Sequence, residues 1–443
     1  MKSFYKGTLI LIVAAFFGEC IEFLVNMLLA RELHEEGMGL YMSILPIFFL
    51  IYVIASLELH ISISKFVAEN KQAMHYNLII HALKMAAVVV LVMCVVMPFI
   101  LSFSSIMDKY HPYIKWLLIT LIPIVAFSSI ARGYFMGVQQ MGKIAFSNFL
   151  KDIIQFGLLF LIFNLFHFNQ EKSLLMAFFV LIGSEFLVFL YLINLLILQM
   201  RIMRRGTNSR TTGKLARQKL LAVSLPTMGL RIFHAITNAI QPFLIHTALL
   251  SAGFGAVVAT EHFGMLTGVA MTIGFFPAFI AHSLMIMLIP NVSNAYKRQD
   301  KEKLRVLLQK SMSFTVLYGV PAVFFIYFFA EPLTSLFFSS TSAAYYLKLL
   351  CPYFLFHFFV IPMQAYLIGL GLVKDAFIHT VWSHIVAFLM MYILGSQASL
   401  NMGGIILGMN TGAVLLTFMH YLTICKKIGI SILLTKSRSI SIK

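Results

Sequence analysis

Charge is what this sequence has least of. Only 11% of its 443 residues are charged, 60% are hydrophobic, and the mean hydropathy is +0.92. A soluble core of this size is never so apolar, so the composition excludes a water-soluble enzyme or binding domain. Acidic residues are scarcest, 16 against 33 Lys and Arg, for a formal net charge of +17. In a soluble chain that excess would point to nucleic acid. In a chain this apolar it marks loops on the cytoplasmic side, and no nucleic-acid partner is expected. Cysteine is equally sparse. Cys20, Cys94, Cys351 and Cys425 fall in or at the ends of apolar runs, show neither metal-ligand spacing nor a paired framework, and read as small buried hydrophobes. The first apolar run, ~24 residues behind Lys2 and Lys6, is too long for a signal-peptide core and lacks an A-x-A-like site, so it is expected to stay as an anchor.

What the chain does have is long apolar runs, rich in its 43 Phe and 26 Met, with Gly and Pro inside them as helices in lipid tolerate. The pattern predicts an all-α integral membrane protein of twelve transmembrane helices. They fall at 7–30, 40–63, 78–104, 113–136, 145–166, 174–199, 219–249, 262–290, 309–337, 345–370, 376–396 and 403–424. Alternate connections differ in charge. One set carries Lys65, Lys71, Lys143, the cluster Arg201 to Arg217, the cluster Lys297 to Arg305, Lys374 and the tail from Lys426. The other set is acidic, with Glu32, Glu35, Glu36, Asp108, Glu171 and Glu331 against Arg31, Lys109 and Lys172. The positive-inside rule then places both termini in the cytoplasm. The longest polar stretch, "RIMRRGTNSRTTGKLARQK", divides the chain into a six-helix bundle at 1–200, a basic linker at 201–218, a second six-helix bundle at 219–425 and a basic tail at 426–443.

The two bundles look like copies. "RGYFMGVQQMGKIAF" (132–146) matches "QAYLIGLGLVKDAFI" (364–378), pairing Tyr134 with Tyr366 and Gly137 with Gly369. "GLYMSILPIFFL" (39–50) resembles "GMLTGVAMTIGFFPAF" (264–279), each reaching a proline. Two copies with the same starting topology imply parallel repeats about a central cleft, with a substrate site between the halves near the midplane.

The first helix holds an unusual pair. "FFGECIEF" puts Glu19 and Glu22 one turn apart inside an apolar span, where a carboxylate costs at least ~3 kcal/mol and normally faces the bundle interior or a water-filled cavity. Aligned on Gly18 and Gly229, this pair falls beside Arg231 and His234 of the seventh helix, so an acidic pair would look across the cleft at a cationic pair.

At these residues the chain resembles the stage V sporulation protein B family, a polysaccharide-exporter branch of the multidrug/oligosaccharidyl-lipid/polysaccharide flippase superfamily. "KGTLILIVAAFFG", "EEGMGLYMSILPIFFL", "ISISKFVAE" and "FGMLTGVAMTIGFFPAFIAHSLMIMLIPNVSNA" carry the likeness, which spans nearly the whole chain. It implies two six-helix bundles around a V-shaped cleft, alternating access, and movement of a lipid-linked saccharide across the plasma membrane of a spore-forming bacterium, for cortex or envelope polymer of the peptidoglycan-precursor kind. The resemblance also admits the forespore membrane as a location. Flippases of this type often carry basic residues in the first helix. This chain has Glu19, Glu22 and Asn26 there.

Arg231, His234, Arg132 and Asn26 are therefore the candidates for substrate or cavity contact, and Glu19, Glu22, Glu185 and Glu58 for coupling or gating. Each has a plainer reading. Arg231 would be a fixed counter-ion to Glu19 or Glu185, Arg132 would snorkel to the interface, and Glu58 with His60 would simply reach it. "GVQQMGKI" lacks the Ser or Thr of a nucleotide-binding loop and joins two membrane helices. Gly404, Gly408 and Gly412, four apart, read as a helix-packing face, and His246, His262, His357 and His384 as packing or interfacial residues without metal spacing. No cofactor, metal or ATPase module is expected, so transport would draw on a proton or sodium gradient, the membrane potential or the substrate gradient. The expected partners are membrane lipids, the lipid-linked saccharide, a coupling ion and a polymer synthase. Two rivals remain open: a cation-coupled multidrug extruder of the same superfamily, and a non-transporting scaffold for polymer synthesis.

Overall fold

The computed structural model describes residues 2–69, 72–103, 105–204, 213–337 and 341–430. Residues 205–212 of the basic linker expected at 201–218, and residues 431–443 of the basic tail expected at 426–443, lie outside the described residues. All the longer elements are helices: α1 (Lys2–Ser56), α2 (Leu59–Glu69), α3 (Gln72–Phe103), α4 (Tyr113–Gly137), α5 (Met141–Leu165), α6 (Gln170–Arg204) and α7 (Gly213–Ser251). There follow α8 (Ala256–Gly264), a π-helical segment (Met265–Ala270), α9 (Met271–Phe275), α10 (Ala278–Lys297), α11 (Lys301–Phe328), α12 (Ala330–Ser335), α13 (Thr341–Leu349), α14 (Cys351–Gly369), α15 (Val373–Gly395) and α16 (Asn401–Ile428). Among the described residues, 11 helices are long and apolar enough to cross a membrane. The chain is thus an all-α, multi-pass membrane protein.

Several predicted boundaries move, for local reasons. The loop expected at 31–39 is helical apart from His34, whose φ of 56° turns the chain within α1. The helix expected at 40–63 breaks at Leu57 and Glu58, with φ of 46° and 52°. The helix expected at 262–290 passes through the π-helical segment and a turn at Pro277, which stands at the start of α10, a position that suits its fixed φ and missing N–H. Pro46, the matching residue in the repeat, stays inside α1.

The chain folds as two compact units, Glu32–Ile240 and Met1–Arg31 with Gln241–Lys443. The core of the Glu32–Ile240 unit gathers Ile63 and Val67 of α2, Ile79 of α3, Ile130, Tyr134 and Phe135 of α4, and Val188 and Leu192 of α6. In the other unit Leu288 and Val292 of α10, Leu304 and Leu308 of α11, Tyr366 of α14, Ala376 of α15 and Ile424 of α16 form the corresponding core. Tyr366 is fully buried and donates its hydroxyl to the Leu304 carbonyl at 2.7 Å.

The residues that paired the two halves in sequence do the same job in each unit. A Cβ on Gly137 would lie 2.5 Å from Val67 Cβ, and one on Gly369 2.8 Å from Val292 Cβ. Each glycine therefore lets the end of one helix press on a neighbouring helix, with a buried tyrosine one turn earlier. Gly404, Gly408 and Gly412 meet α15 as closely, at Leu394, Met391 and Ala387, which makes them a packing face. The four cysteines are free, Cys351 and Cys425 buried and Cys20 and Cys94 half-buried.

Gly137→Ala and Gly369→Ala should each destabilise the protein by about 1–3 kcal/mol through overpacking. Gly157→Ala, at a position on α5 with open space around its Cβ, should leave the melting temperature in detergent unchanged or slightly raised. Equal melting of all three variants would contradict the close helix approach.

Candidate functional site

The break between α1 and α2 is stitched by hydroxyls. Ser56 Oγ donates to the Val53 carbonyl at 3.0 Å and accepts from the Glu58 amide at 3.3 Å. Ser129 of α4 accepts from the His60 amide at 3.1 Å and donates to the Ser56 carbonyl at 3.4 Å. These bonds replace helical partners that the break removes, as apolar surroundings demand. They also hold two non-glycine residues in the left-handed region, a conformation that costs ~1–2 kcal/mol per residue.

The break presents Glu58, whose side chain is 0% exposed. Arg231 of α7 donates from Nη1 to both of its oxygens, at 3.0 and 3.1 Å, and His60 Nε2 lies 3.8 Å away. Ser62 and Ser224 meet through their hydroxyls at 3.2 Å. Residue numbers rise along α2 as they fall along α7, so the two run antiparallel across this contact. The Arg231 side chain is 50% exposed, so its charge is shared between a buried carboxylate and open space.

A second charged group sits in the same unit. Arg132 of α4 donates to Asn148 Oδ1 at 2.7 Å and lies 4.0 Å from Glu185 of α6. Lys151 of α5 lies 3.9 Å from Glu185 and 3.5 Å from Asp152. Tyr52 of α1 is within electrostatic reach of Arg132, Glu185, Lys151 and Arg231, and His60 of both arginines. Three carboxylates and three strong cations thus occupy one neighbourhood and balance. In an apolar medium that balance is what allows any of them to remain ionised.

The structure brings together four of the expected site residues, Glu58, Arg231, Arg132 and Glu185. Glu58 is fully buried rather than reaching the interface, because the helix break turns it inward. Glu58 holds the Arg231 guanidinium, while Glu185 lies beside Arg132 and Lys151. His234, one turn beyond Arg231, is exposed with its ring 5.9 Å from that of Phe233. Glu19, Glu22 and Asn26 belong to the other unit, where Glu19 and Asn26 are half-buried and Glu22 is exposed. Sequence reading passed over Lys151, Asp152, Asn148 and Tyr52. The adjacent Lys151 and Asp152 lie inside a predicted span, so the rule that singled out Glu19 also applied to them.

Solved structures share this fold. The chain superposes on an inward-facing multidrug resistance transporter of the MATE family and MOP superfamily with a TM-score of 0.74, at 17% identity, covering 93% of this chain and 94% of that one. An outward-facing MATE transporter gives a TM-score of 0.67 at 18% identity over 95% of each chain. The chain therefore has the fold of these MATE transporters.

The family follows from sequence. Residues 4–295 match the polysaccharide biosynthesis protein family and residues 266–393 the MatE family. Two relatives from Bacillus subtilis (strain 168) align over nearly the whole chain. The sporulation protein YkvU is 55% identical over 98% of both chains, and stage V sporulation protein B is 31% identical over 97% of this chain and 85% of its own. The protein belongs to the polysaccharide biosynthesis protein family, in the branch that includes stage V sporulation protein B.

Arg231→Ala should destabilise the protein by about 3 kcal/mol or more, since it strands a buried carboxylate. The doubly neutral Glu58→Gln/Arg231→Gln variant should recover much of that loss. A double-mutant cycle of melting temperatures in detergent measures the coupling; additive single effects would show that the pair contributes nothing.

Proposed function

We propose that this protein moves a lipid-linked saccharide across the cell membrane by alternating access, for a spore or envelope polymer. The observation that carries the reading is the half-exposed Arg231 bound through one nitrogen to the fully buried Glu58. Family membership and the sporulation relatives support the same reading.

Arg231 offers an anionic head group a planar fork, because Nη2 and Nε are not used on Glu58. Arg132, His234 and Asn26 are further candidates for contact with the head group or the saccharide. A diphosphate that draws Arg231 toward itself loosens its hold on Glu58. A buried carboxylate without its cation must then be neutralised by a proton or a small cation. Substrate binding and ion uptake become linked at Glu58 in this scheme, with Glu185 sharing the local charge balance. Glu19 and Glu22 are candidate coupling or gating groups of the other unit. Docking of a polymer synthase on the cytoplasmic loops is compatible with this role.

Native mass spectrometry of protein purified in mild detergent tests the reading. Wild type and Glu58→Gln should both retain a polyprenyl-diphosphate saccharide, and Glu58→Gln/Arg231→Gln should lose it. Both variants lack the buried Glu58 carboxylate, so the comparison isolates the guanidinium. If only ordinary phospholipids accompany the wild type while cationic compounds bind and compete at the Glu58 carboxylate, the multidrug-extruder reading replaces this one.

A further inference from the structure

We infer that the unit formed by Met1–Arg31 and Gln241–Lys443 binds one acyl chain of an anionic phospholipid in a slot along the first part of α1, with the phosphate at Arg31. The slot has a volume of about 430 Å³. Its walls are Cys20, Phe23 and Leu24 of α1, Phe276 before α10, Phe325 of α11 and Leu336 after α12. All of these side chains are apolar apart from a thiol, so the slot holds no partner for a saccharide or an ion. It suits a hydrocarbon.

Its dimensions point to one kind of chain. From Cys20 to Arg31 the helix rises about 16 Å. One leaflet of hydrocarbon is about 15 Å deep. A phospholipid acyl chain spans one leaflet, whereas a polyprenyl chain is several times longer than the slot.

Charge completes the assignment. Arg31 Nε donates to the carbonyl of Leu336, a wall residue, at 2.8 Å, which fixes the guanidinium at the rim. That bond goes to a neutral acceptor and leaves the positive charge for a phosphodiester. Lys348 and Glu331 form an ion pair 2.9 Å long in the same unit. Lys348 holds the Glu331 carboxyl below the usual carboxylate range, so the two satisfy each other. One turn before Cys20, the ring of Phe16 sits edge-on to those of Phe276 and Phe279, at 6.1 and 5.5 Å.

This inference does not rest on the identity of the transported substrate. Its test uses delipidated full-length protein with equal amounts of phosphatidylglycerol and phosphatidylcholine, read by native mass spectrometry. Wild type should retain phosphatidylglycerol about fivefold better, as one basic group near ~1 kcal/mol provides. Arg31→Gln should bring the ratio to one. Cys20→Trp, which fills the slot, should lose both lipids, and Ala322→Trp repeats the test from α11 in case the first variant does not fold. Equal retention by wild type, or a ratio unchanged in Arg31→Gln, overturns the inference. So does Arg31-dependent displacement of phosphatidylglycerol by polyprenyl phosphate, which would give the slot to the substrate's tail.

Discussion

A fully buried carboxylate held by a single guanidinium is the contact around which the rest of the Glu32–Ile240 unit is arranged. Glu58 is buried because α1 stops at Ser56 and α2 starts at Leu59, with two left-handed residues between. An uninterrupted helix would leave no bend to aim the side chain inward, and an unpaired carboxylate would be too costly to bury. The helix break, the hydroxyls of Ser56 and Ser129, and the guanidinium of Arg231 are therefore interdependent. Removing any one changes what the others must compensate.

Helix packing in the two units depends on a different constraint. Lipid offers no hydrophobic drive for one helix to leave it for another, so close contact rests on small residues and polar links. Gly137 against Val67 and Gly369 against Val292 are the same solution used twice. Around them the exposed surface remains apolar, with Leu91, Phe99, Leu317 and Phe328 each more than 60% exposed. That surface suits lipid, and it explains why the composition is so poor in charge.

The charged groups are then a selection rather than a residue of chance. Glu58, Glu185, Asp152, Arg132, Lys151 and Arg231 lie close enough to compensate one another. In a medium of low dielectric, moving one of these charges alters the ionisation that the others can sustain. A cluster of this kind responds to an incoming anion or cation as a group. The fold is shared with MATE transporters captured in inward-facing and outward-facing conformations.

Sequence alone determined the membrane character, the all-helical class and the family, because apolar runs and short phrases are local properties. It also marked Glu58, Arg132, Glu185 and Arg231, since any ionisable residue inside an apolar span stands out. Their pairing was decided only by tertiary structure. Whether Arg231 meets Glu58, Glu185 or Glu19 depends on where a helix breaks, and two positive φ angles at Leu57 and Glu58 have no glycine to announce them. The slot beside Arg31 was equally invisible in sequence, because Cys20, Phe276 and Phe325 become neighbours only when distant helices pack.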